Sequence, residues 1–159
     1  MQAVISFVAA YLFIAVVLLE GLYLLAFHRD CIRELLVATL MIGGGAFLLS
    51  LVANHFIQDP RPFIVGGFKP LIHSSTDNGF PSDHTLLLAT TAAIVMVASR
   101  PAGFLGLALA VLVGLARVYV GVHHLTDIIG SLVIVGLASL VYLGAVHAWK
   151  ARFSPDASS

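Results

Sequence analysis

Long apolar stretches alternate with polar or Pro- and Gly-rich segments along this chain, and the pattern predicts five membrane-spanning helices. A helix needs about 20 apolar residues to cross the hydrocarbon core of a bilayer. Five stretches come close to this length, with approximate bounds 3–27, 34–57, 83–99, 102–121 and 124–148. The fourth stretch is short. We therefore predict an all-α fold, a polytopic membrane helical bundle with about five transmembrane helices.

Composition supports a membrane protein with one domain. The 159 residues are 60% hydrophobic and only 10% charged, whereas a soluble domain carries about 25% charged residues. We predict a single membrane domain over residues 1–152 and a disordered tail over 153–159. Small residues at helical spacing, Gly106, Ala110 and Gly114, would let two spans approach closely. The formal net charge is zero, so nucleic acid is not an expected partner.

The basic residues near the predicted helix ends give an orientation. The chain has eight Lys and Arg residues, and the larger group on one side of the membrane comprises Arg29, Arg33, Arg100, Lys150 and Arg152. The positive-inside rule makes that side cytoplasmic. The N-terminus, the loop 58–81 and the turn 121–124 then face outward, towards the exterior or, in a bacterium with two membranes, the periplasm.

The segment Pro81-Ser82-Asp83-His84 ends a loop and begins the third predicted helix. Ser82 is a favoured N-cap residue. The first N–H groups of a helix are free and its dipole is positive there, so this end can hold an anion. We expect His84, in the first turn, to point towards that anion. For this segment taken alone, an ordinary capped helix with a nearby histidine is the alternative.

A second polar group, Arg117, His123 and Asp127, lies around the turn between the last two predicted helices. His123 and Asp127 are four residues apart, so they share one face if the last helix begins near His123. A carboxylate bonded to one ring nitrogen fixes the tautomer and leaves the other nitrogen free to attack. The alternative for this group alone is a helix cap with a surface ion pair.

Arg61 follows the second predicted helix and is a third polar feature of the same membrane face. A guanidinium fork matches two oxygens of a phosphate, although a lone arginine here could equally anchor the chain at the interface. Ionisable groups are costly near a membrane core, so their concentration indicates function. The residue types suit holding a phosphate and transferring it through a histidine.

Together these segments resemble the signature of the type 2 phosphatidic acid phosphatase superfamily, which reads K-x6-R-P, then P-S-G-H, then S-R-x5-H-x3-D. The resemblance covers residues 54–127. Asn54 stands at the lysine position, Asp83 at the glycine and Ala116 at the serine. The Pro-Ser-Asp-His version, with Asn in the first block and Arg61-Pro62-Phe63, is similar to the bacterial undecaprenyl pyrophosphate phosphatase branch, of the bacitracin-resistance type.

The resemblance implies hydrolysis of undecaprenyl pyrophosphate to undecaprenyl phosphate and inorganic phosphate in the bacterial plasma membrane. It implies that His123 is the nucleophile and forms a phosphohistidine, that Asp127 orients it, and that His84 protonates the leaving group. The implied phosphate-binding residues are Arg61, Ser82, Arg117, Asn54 and Asp83. The implied partners are the polyprenyl pyrophosphate substrate and membrane lipids, with no cofactor and no metal.

Two of the residues that differ from the family signature, Asn54 and Asp83, need a physical explanation. Asn54 brings no charge, whereas a unit charge pair at 4 Å and an effective dielectric near 20 is worth about 4 kcal/mol before desolvation. We expect Lys69 or His73 to contact the second phosphate instead, although both could simply lie near lipid headgroups. Asp83 adds negative charge beside an anion, so it should bond His84 or Arg61 or lie at the favourable helix N-terminus.

Other functions remain open at this point. The same chemistry could act on phosphatidylglycerophosphate, phosphatidate or lipid A, because the motifs say little about the apolar tail. A lipid carrier without hydrolytic activity would typically show paired broken helices at the membrane midplane. The sequence has no His-Glu-x-x-His pattern and no Cys/His cluster of the kind that holds zinc. The oligomeric state is not indicated.

Overall fold

Helices make up most of the computed structural model, which describes residues 1–153. The elements are α1 (Gln2–Phe27), α2 (Ile32–Ala38), α3 (Gly44–Phe56), α4 (Pro62–Val65), α5 (Asp83–Ala98), α6 (Arg100–Tyr119) and α7 (Leu125–Phe153). A 3-10 turn, Arg29–Cys31, precedes α2, and a π-helical segment, Thr39–Gly43, joins α2 to α3. The predicted all-α helical bundle is confirmed, and residues 1–153 contain no β-strand.

Within residues 1–153, four helical segments are long and apolar enough to cross a membrane, namely α1, the run Arg29–Phe56, α6 and α7. The fifth predicted span corresponds to α5, which has 16 residues. At a rise of 1.5 Å per residue α5 is about 24 Å long, shorter than the bilayer core of about 30 Å. Its ends are sharp because Ser82 and Ser99 both have extended backbones.

The observed bounds lie close to the predicted ones except at the C-terminal end. The last helix continues to Phe153, five residues beyond the predicted end, and Lys150 and Arg152 occupy its final turn. Basic side chains are favourable there because they face the negative end of the helix dipole. The predicted disordered tail, 153–159, lies outside the described residues apart from Phe153.

The helix α5 is the centre of the bundle and packs against α1, α2, α6 and α7. Its buried face contributes Leu88 and Ala89 to a core that also includes Val113 and Ile134. Many large apolar side chains on the outer surfaces of α1, α3, α6 and α7 are exposed. These exposed apolar surfaces suit a lipid environment. The packing of α5 against its neighbours places its N-terminus among the surrounding helices.

Small residues bring three of these helices close together. A Cβ atom on Gly114 of α6 would lie 2.6 Å from Ile128 Cγ2 on α7 and 2.9 Å from Thr85 Oγ1 on α5. Ala110, one turn earlier, is fully buried. The close approach predicted from Gly106, Ala110 and Gly114 therefore holds at this crossing, which lies just below the polar end of the bundle.

Candidate active site

The three predicted motif segments meet at one end of the bundle. Arg61 Nη1 donates to the carbonyl of Val122 at 3.2 Å and lies 3.4 Å from His123 Nε2. At the start of α5, the Ser82 N–H donates to the Asp127 carbonyl at 3.4 Å. The chain after α3, the N-terminus of α5 and the turn between α6 and α7 thus surround one site.

His123 and Asp127 form a buried pair in this site. His123 Nδ1 lies 3.1 Å from Asp127 Oδ2, and the two side chains are 2% and 0% exposed. Because a carboxylate accepts only, Nδ1 carries the proton in the neutral ring and Nε2 keeps its lone pair. Gly121, with φ of +83°, allows the sharp end of α6 that brings His123 to this position.

The environment of His123 favours the neutral ring. Burial is the main cause that lowers the pKa of His123 below its ordinary value, and the charges of Arg117 and Arg61 lower this pKa further. Asp127 acts in the opposite direction, through its hydrogen bond and its charge. The net direction leaves the imidazole uncharged at neutral pH, as a nucleophile requires.

Arg61 is buried, and its nitrogens face protein groups. Its Nε and Nη2 donate to Asp77 Oδ1 at 3.1 and 2.7 Å, and Nη2 also donates to Ser75 Oγ at 3.4 Å. The Ser75 hydroxyl donates to the same Asp77 oxygen at 2.6 Å. The Ser75 hydroxyl and then Arg61 hold the pKa of Asp77 below its ordinary value, so this carboxylate is ionised at neutral pH. A phosphate that binds Arg61 must therefore compete with Asp77.

Arg117 and His84 complete the cationic lining. Arg117 is buried and donates from Nη1 to the Ala9 carbonyl at 3.0 Å, which ties α6 to α1, while its Nε has no hydrogen-bond partner among residues 1–153. The half-buried His84 ring stands edge-on to Phe13, with centroids 4.2 Å apart. The charges of Arg117 and Arg61 act on His84. The His84 ring therefore lies within the electrostatic field of both guanidinium groups.

The next two residues to consider are Ser82 and Asp83, whose hydrogen bonding could not be read from the sequence. Ser82 occupies the N-cap position of α5, but it makes no side-chain capping bond. Instead its fully buried Oγ accepts from Thr85 Oγ1 at 3.3 Å, which leaves its own proton free to donate. Asp83 is exposed at the first position of α5 and makes no hydrogen bond or ion pair within the described chain. Of the three alternatives for Asp83, the position at the helix N-terminus is the one observed, since the exposed side chain bonds neither His84 nor Arg61 and acts on Arg117 through its charge.

Asn54 has a structural contact in place of the family lysine. Its Nδ2 donates to the Phe80 carbonyl at 2.8 Å. Asn78 reinforces the same loop by donating to the carbonyls of Ile57 at 2.7 Å and Asn54 at 3.1 Å. Asn54 thus braces the segment that leads into α5, and a direct bond from its amide to phosphate stays a prediction.

A cavity of about 440 Å³ lies beside His123. Its lining distinguishes Lys69 from His73, the two residues predicted to contact the second phosphate. Lys69 lines this cavity together with His124, Phe68 and Tyr119. His73 is exposed on the same loop but does not line the cavity. The geometry therefore favours Lys69 over His73.

Two side-chain groups among residues 1–153 have the composition and spacing to hold a metal ion. One comprises Asp59, His124 and Asp127, whose potential ligand atoms lie within 4.8 Å of one another, and the other comprises His28, Asp30 and Cys31. Ser75, Asp77 and Asp59 were not predicted from the sequence, because their contacts join loop segments without a recognisable spacing.

Comparison with known proteins identifies the family. Residues 34–151 match the PAP2 superfamily. The chain belongs to the PAP2 superfamily. This confirms the predicted resemblance, and the match covers all three motif segments.

Relatives of this PAP2 protein agree with the predicted branch. It is 32% identical over 98 residues to undecaprenyl-diphosphatase BcrC of Bacillus subtilis (strain 168), covering 59% of this chain and 51% of that protein. It is 31% identical over 121 residues to putative undecaprenyl-diphosphatase YbjG of Escherichia coli (strain K12), covering 75% and 59%. It is 33% identical over 116 residues to phosphatidylglycerophosphatase B of Bacillus subtilis (strain 168), covering 66% and 54%. The chain thus spans little more than half the length of these relatives.

A solved structure also resembles this PAP2 protein. A transmembrane PAP2-type phosphatidylglycerolphosphate phosphatase from Bacillus subtilis superimposes with a TM-score of 0.61 at 28% identity, covering 96% of this chain and 77% of the other. Together with its apolar helices of spanning length, this similarity identifies a multi-pass membrane protein.

Proposed function

We propose that this protein is a phosphatase that hydrolyses undecaprenyl pyrophosphate to undecaprenyl phosphate and inorganic phosphate. The observation that carries the proposal is the buried pair in which His123 Nδ1 lies 3.1 Å from Asp127 Oδ2 while Nε2 faces Arg61 Nη1 at 3.4 Å. One ring nitrogen is oriented by a carboxylate, and the other faces a cationic group able to hold a phosphoryl oxygen.

In the first step, His123 Nε2 attacks the terminal phosphorus of the substrate. The N–P bond forms as the bond from that phosphorus to the bridging oxygen breaks. His84 gives its proton to the departing oxygen, so undecaprenyl phosphate leaves. Asp127 stabilises the positive charge that develops on the His123 ring.

In the second step, a water molecule attacks the phosphohistidine. His84, now neutral, takes a proton from this water as the N–P bond breaks. Inorganic phosphate is released, and both histidines return to their starting protonation states.

The positive field comes from side chains and from the N-terminus of α5. Arg61, Arg117 and the free proton of Ser82 bind the phosphoryl oxygens. The buried Nε of Arg117 has no hydrogen-bond partner among residues 1–153, so it can donate to a phosphoryl oxygen that reaches it. Groups held in place before the reaction stabilise developing charge without reorganisation. In this proposal the guanidinium groups of Arg61 and Arg117 provide the positive charge that a metal ion would provide in a metal-dependent phosphatase.

The distribution of basic residues supports an outward-facing site in a bacterial plasma membrane. The side opposite the site carries the larger number of Lys and Arg residues, which the positive-inside rule assigns to the cytoplasm. Monophosphate carrier lipid released at the outer face would be available again for cell-wall synthesis, and such activity would oppose bacitracin.

A second candidate substrate is phosphatidylglycerophosphate. It is favoured by the similarity to the Bacillus subtilis PAP2-type phosphatidylglycerolphosphate phosphatase, with a TM-score of 0.61. A carrier without hydrolysis is less compatible, because the polar groups gather at one end of the bundle rather than at its midplane.

The test compares phosphate release from undecaprenyl pyrophosphate and phosphatidylglycerophosphate by the purified protein, in detergent with a chelator. We expect faster release from undecaprenyl pyrophosphate and none with His123→Ala. Preference for the second lipid would overturn the substrate assignment. A requirement for added divalent ions would overturn the mechanism, and equal release by the His123→Ala variant would overturn the nucleophile.

A further inference from the structure

Asp59 links the segment that bears Arg61 to the turn that bears His123. Its Oδ1 lies 3.0 Å from His124 Nδ1, and its Oδ2 accepts from Thr126 Oγ1 at 3.2 Å. Both contacts fall within the turn 123–127, and Asp59 precedes Arg61 by two residues. One carboxylate therefore connects the phosphate-binding segment with the nucleophile turn.

The main chain fixes Asp59 in this position. Its N–H donates to Asn78 Oδ1 at 2.8 Å, and its carbonyl accepts from the Gly79 N–H at 2.9 Å. A Cβ atom on Gly79 would lie 2.9 Å from the Asp59 carbonyl and 3.3 Å from Asp127 Oδ2. Gly79 thus lies packed between the two aspartates, and Asp59 has little room to shift.

His124, the residue after His123, connects the position of Asp59 to that of the nucleophile. The backbone N–H of His124 donates to Asp127 Oδ2 at 2.9 Å, and the same oxygen lies 3.1 Å from His123 Nδ1. Movement of residue 124 would therefore displace the oxygen that sets the tautomer and the direction of the His123 ring. The His124 side chain faces Asp59, with Nδ1 and Oδ1 3.0 Å apart but no hydrogen bond of favourable angle between them, and the Thr126 hydroxyl donates to the other Asp59 oxygen.

We propose that Asp59 and His124, with Thr126, are positioning residues that hold His123 in register with Arg61. Neither side chain touches the reacting atoms; each acts through Asp127. This inference rests on the proposed phosphatase function. A misplacement of about 1 Å in a catalytic constellation can reduce a rate about 100-fold, so loss of the link should lower kcat more than it raises KM.

The experiment uses the variants Asp59→Ala, Asp59→Asn, His124→Ala and the double variant Asp59→Ala/His124→Ala. Asp30→Ala, which removes an exposed carboxylate from the turn before α2, is the matched control. We measure kcat and KM for undecaprenyl pyrophosphate, and the rate at which acid-labile phosphohistidine forms after rapid mixing with labelled substrate.

For Asp59→Ala we expect kcat and phosphohistidine formation to fall about tenfold, with KM within about twofold of wild type. Asp59→Asn keeps an acceptor oxygen and should recover most of this loss. The double variant should be no slower than the slower single variant, because both substitutions break one link. Thermal unfolding in detergent identifies any misfolded variant, and Thr126→Val then replaces Asp59→Ala as the test.

Wild-type kcat in both Asp59→Ala and His124→Ala, or fully additive losses, would overturn the positioning role while leaving the phosphatase function intact. A loss confined to KM would also overturn it, since it would indicate substrate contact. If the wild-type protein releases no phosphate from either lipid, the proposed function fails and this inference fails with it.

Discussion

Arg61 donates to the carboxylate of Asp77 through two nitrogens, Nε at 3.1 Å and Nη2 at 2.7 Å. Arg61 is buried, whereas the Asp77 side chain is 67% exposed. The carboxylate thus occupies two guanidinium nitrogens that a phosphate could use, and its exposure allows it to move away. Among the further contacts of Arg61, the main-chain carbonyl of Val122 has no such freedom.

Replacing Asp77 should therefore strengthen anion binding. For Asp77→Ala we expect KM for the lipid substrate and the inhibition constant for inorganic phosphate to fall together, by about threefold to tenfold, because a competing charge-assisted hydrogen bond is removed. Steady-state kinetics with added phosphate measures both constants. Ser75→Ala should give a smaller effect in the same direction. A rise in both constants for Asp77→Ala would mean that the carboxylate orients Arg61 for binding instead of competing with the phosphate.

The acid limb of the pH profile should report His123. Only the neutral ring can attack, so kcat/KM falls as the pH drops through the pKa of the free enzyme's nucleophile. Because burial lowers the pKa of His123 below its ordinary value of 6.5, we expect the midpoint of this limb to lie below pH 6.5. Initial rates at low substrate concentration between about pH 4 and 8 test this. A midpoint clearly above 6.5 would contradict the proposed environment of the ring.

Two substitutions should move that midpoint in opposite directions. Asp127 raises the pKa of His123 and Arg61 lowers it, so Asp127→Asn should shift the limb to lower pH and Arg61→Gln to higher pH. Asp127→Asn should also reduce kcat about 10²- to 10⁴-fold, since an amide does not enforce the reactive tautomer. The same kinetic profile measured on both variants provides the check. Shifts in one common direction would show that at least one of the two groups does not act on His123 by its charge.

The number and approximate bounds of the helices were predictable from the sequence, because they depend on the length of its apolar stretches. The five helical stretches follow from apolar runs, and α5 ends at Ala98, one residue before the predicted bound of 83–99. The C-terminal bound was wrong because Lys150 and Arg152 read as a membrane boundary, although basic residues also suit the last turn of a helix. Polarity locates the edge of a bilayer better than the end of a helix.

The candidate site was predictable where its residues have fixed spacing. His123 and Asp127 are one helical turn apart, so their contact could be predicted. The hydrogen bonds of Arg61 to Asp77 and the close approach of His124 to Asp59 join segments 16 and 65 residues apart. Such contacts depend on how loops close over the bundle, and no local pattern encodes them. For the same reason the bond of Asn54 to the carbonyl of Phe80 was not predicted, while its contact with phosphate stays a prediction.

Helix packing beneath the site should be intolerant of one added methyl group. A Cβ atom on Gly114 would lie 2.6 Å from Ile128 Cγ2 and 2.9 Å from Thr85 Oγ1. Overpacking of this kind costs about 1–3 kcal/mol, so Gly114→Ala should lower the thermal unfolding temperature in detergent. Gly136→Ala is the matched control, because its Cβ atom would meet nothing within 4 Å. Equal stability of the two variants would mean that α6 and α7 are further apart than described.

The second phosphate of the substrate should be recognised by Lys69. This residue lines the cavity beside His123, whereas His73 does not, and a charge at this position can offset the missing charge at Asn54. We expect Lys69→Ala to raise KM for undecaprenyl pyrophosphate about tenfold, and to leave KM for phosphatidylglycerophosphate within about twofold. Only the pyrophosphate has its second phosphate directly next to the phosphorus that is attacked, whereas the diester phosphate of phosphatidylglycerophosphate lies beyond a glycerol unit. Parallel kinetics on the two lipids separates this effect from general damage. If both Lys69→Ala and His73→Ala leave diphosphate turnover untouched, the loop 66–81 does not bind the second phosphate, and the discrimination between the two lipids must come from their apolar tails.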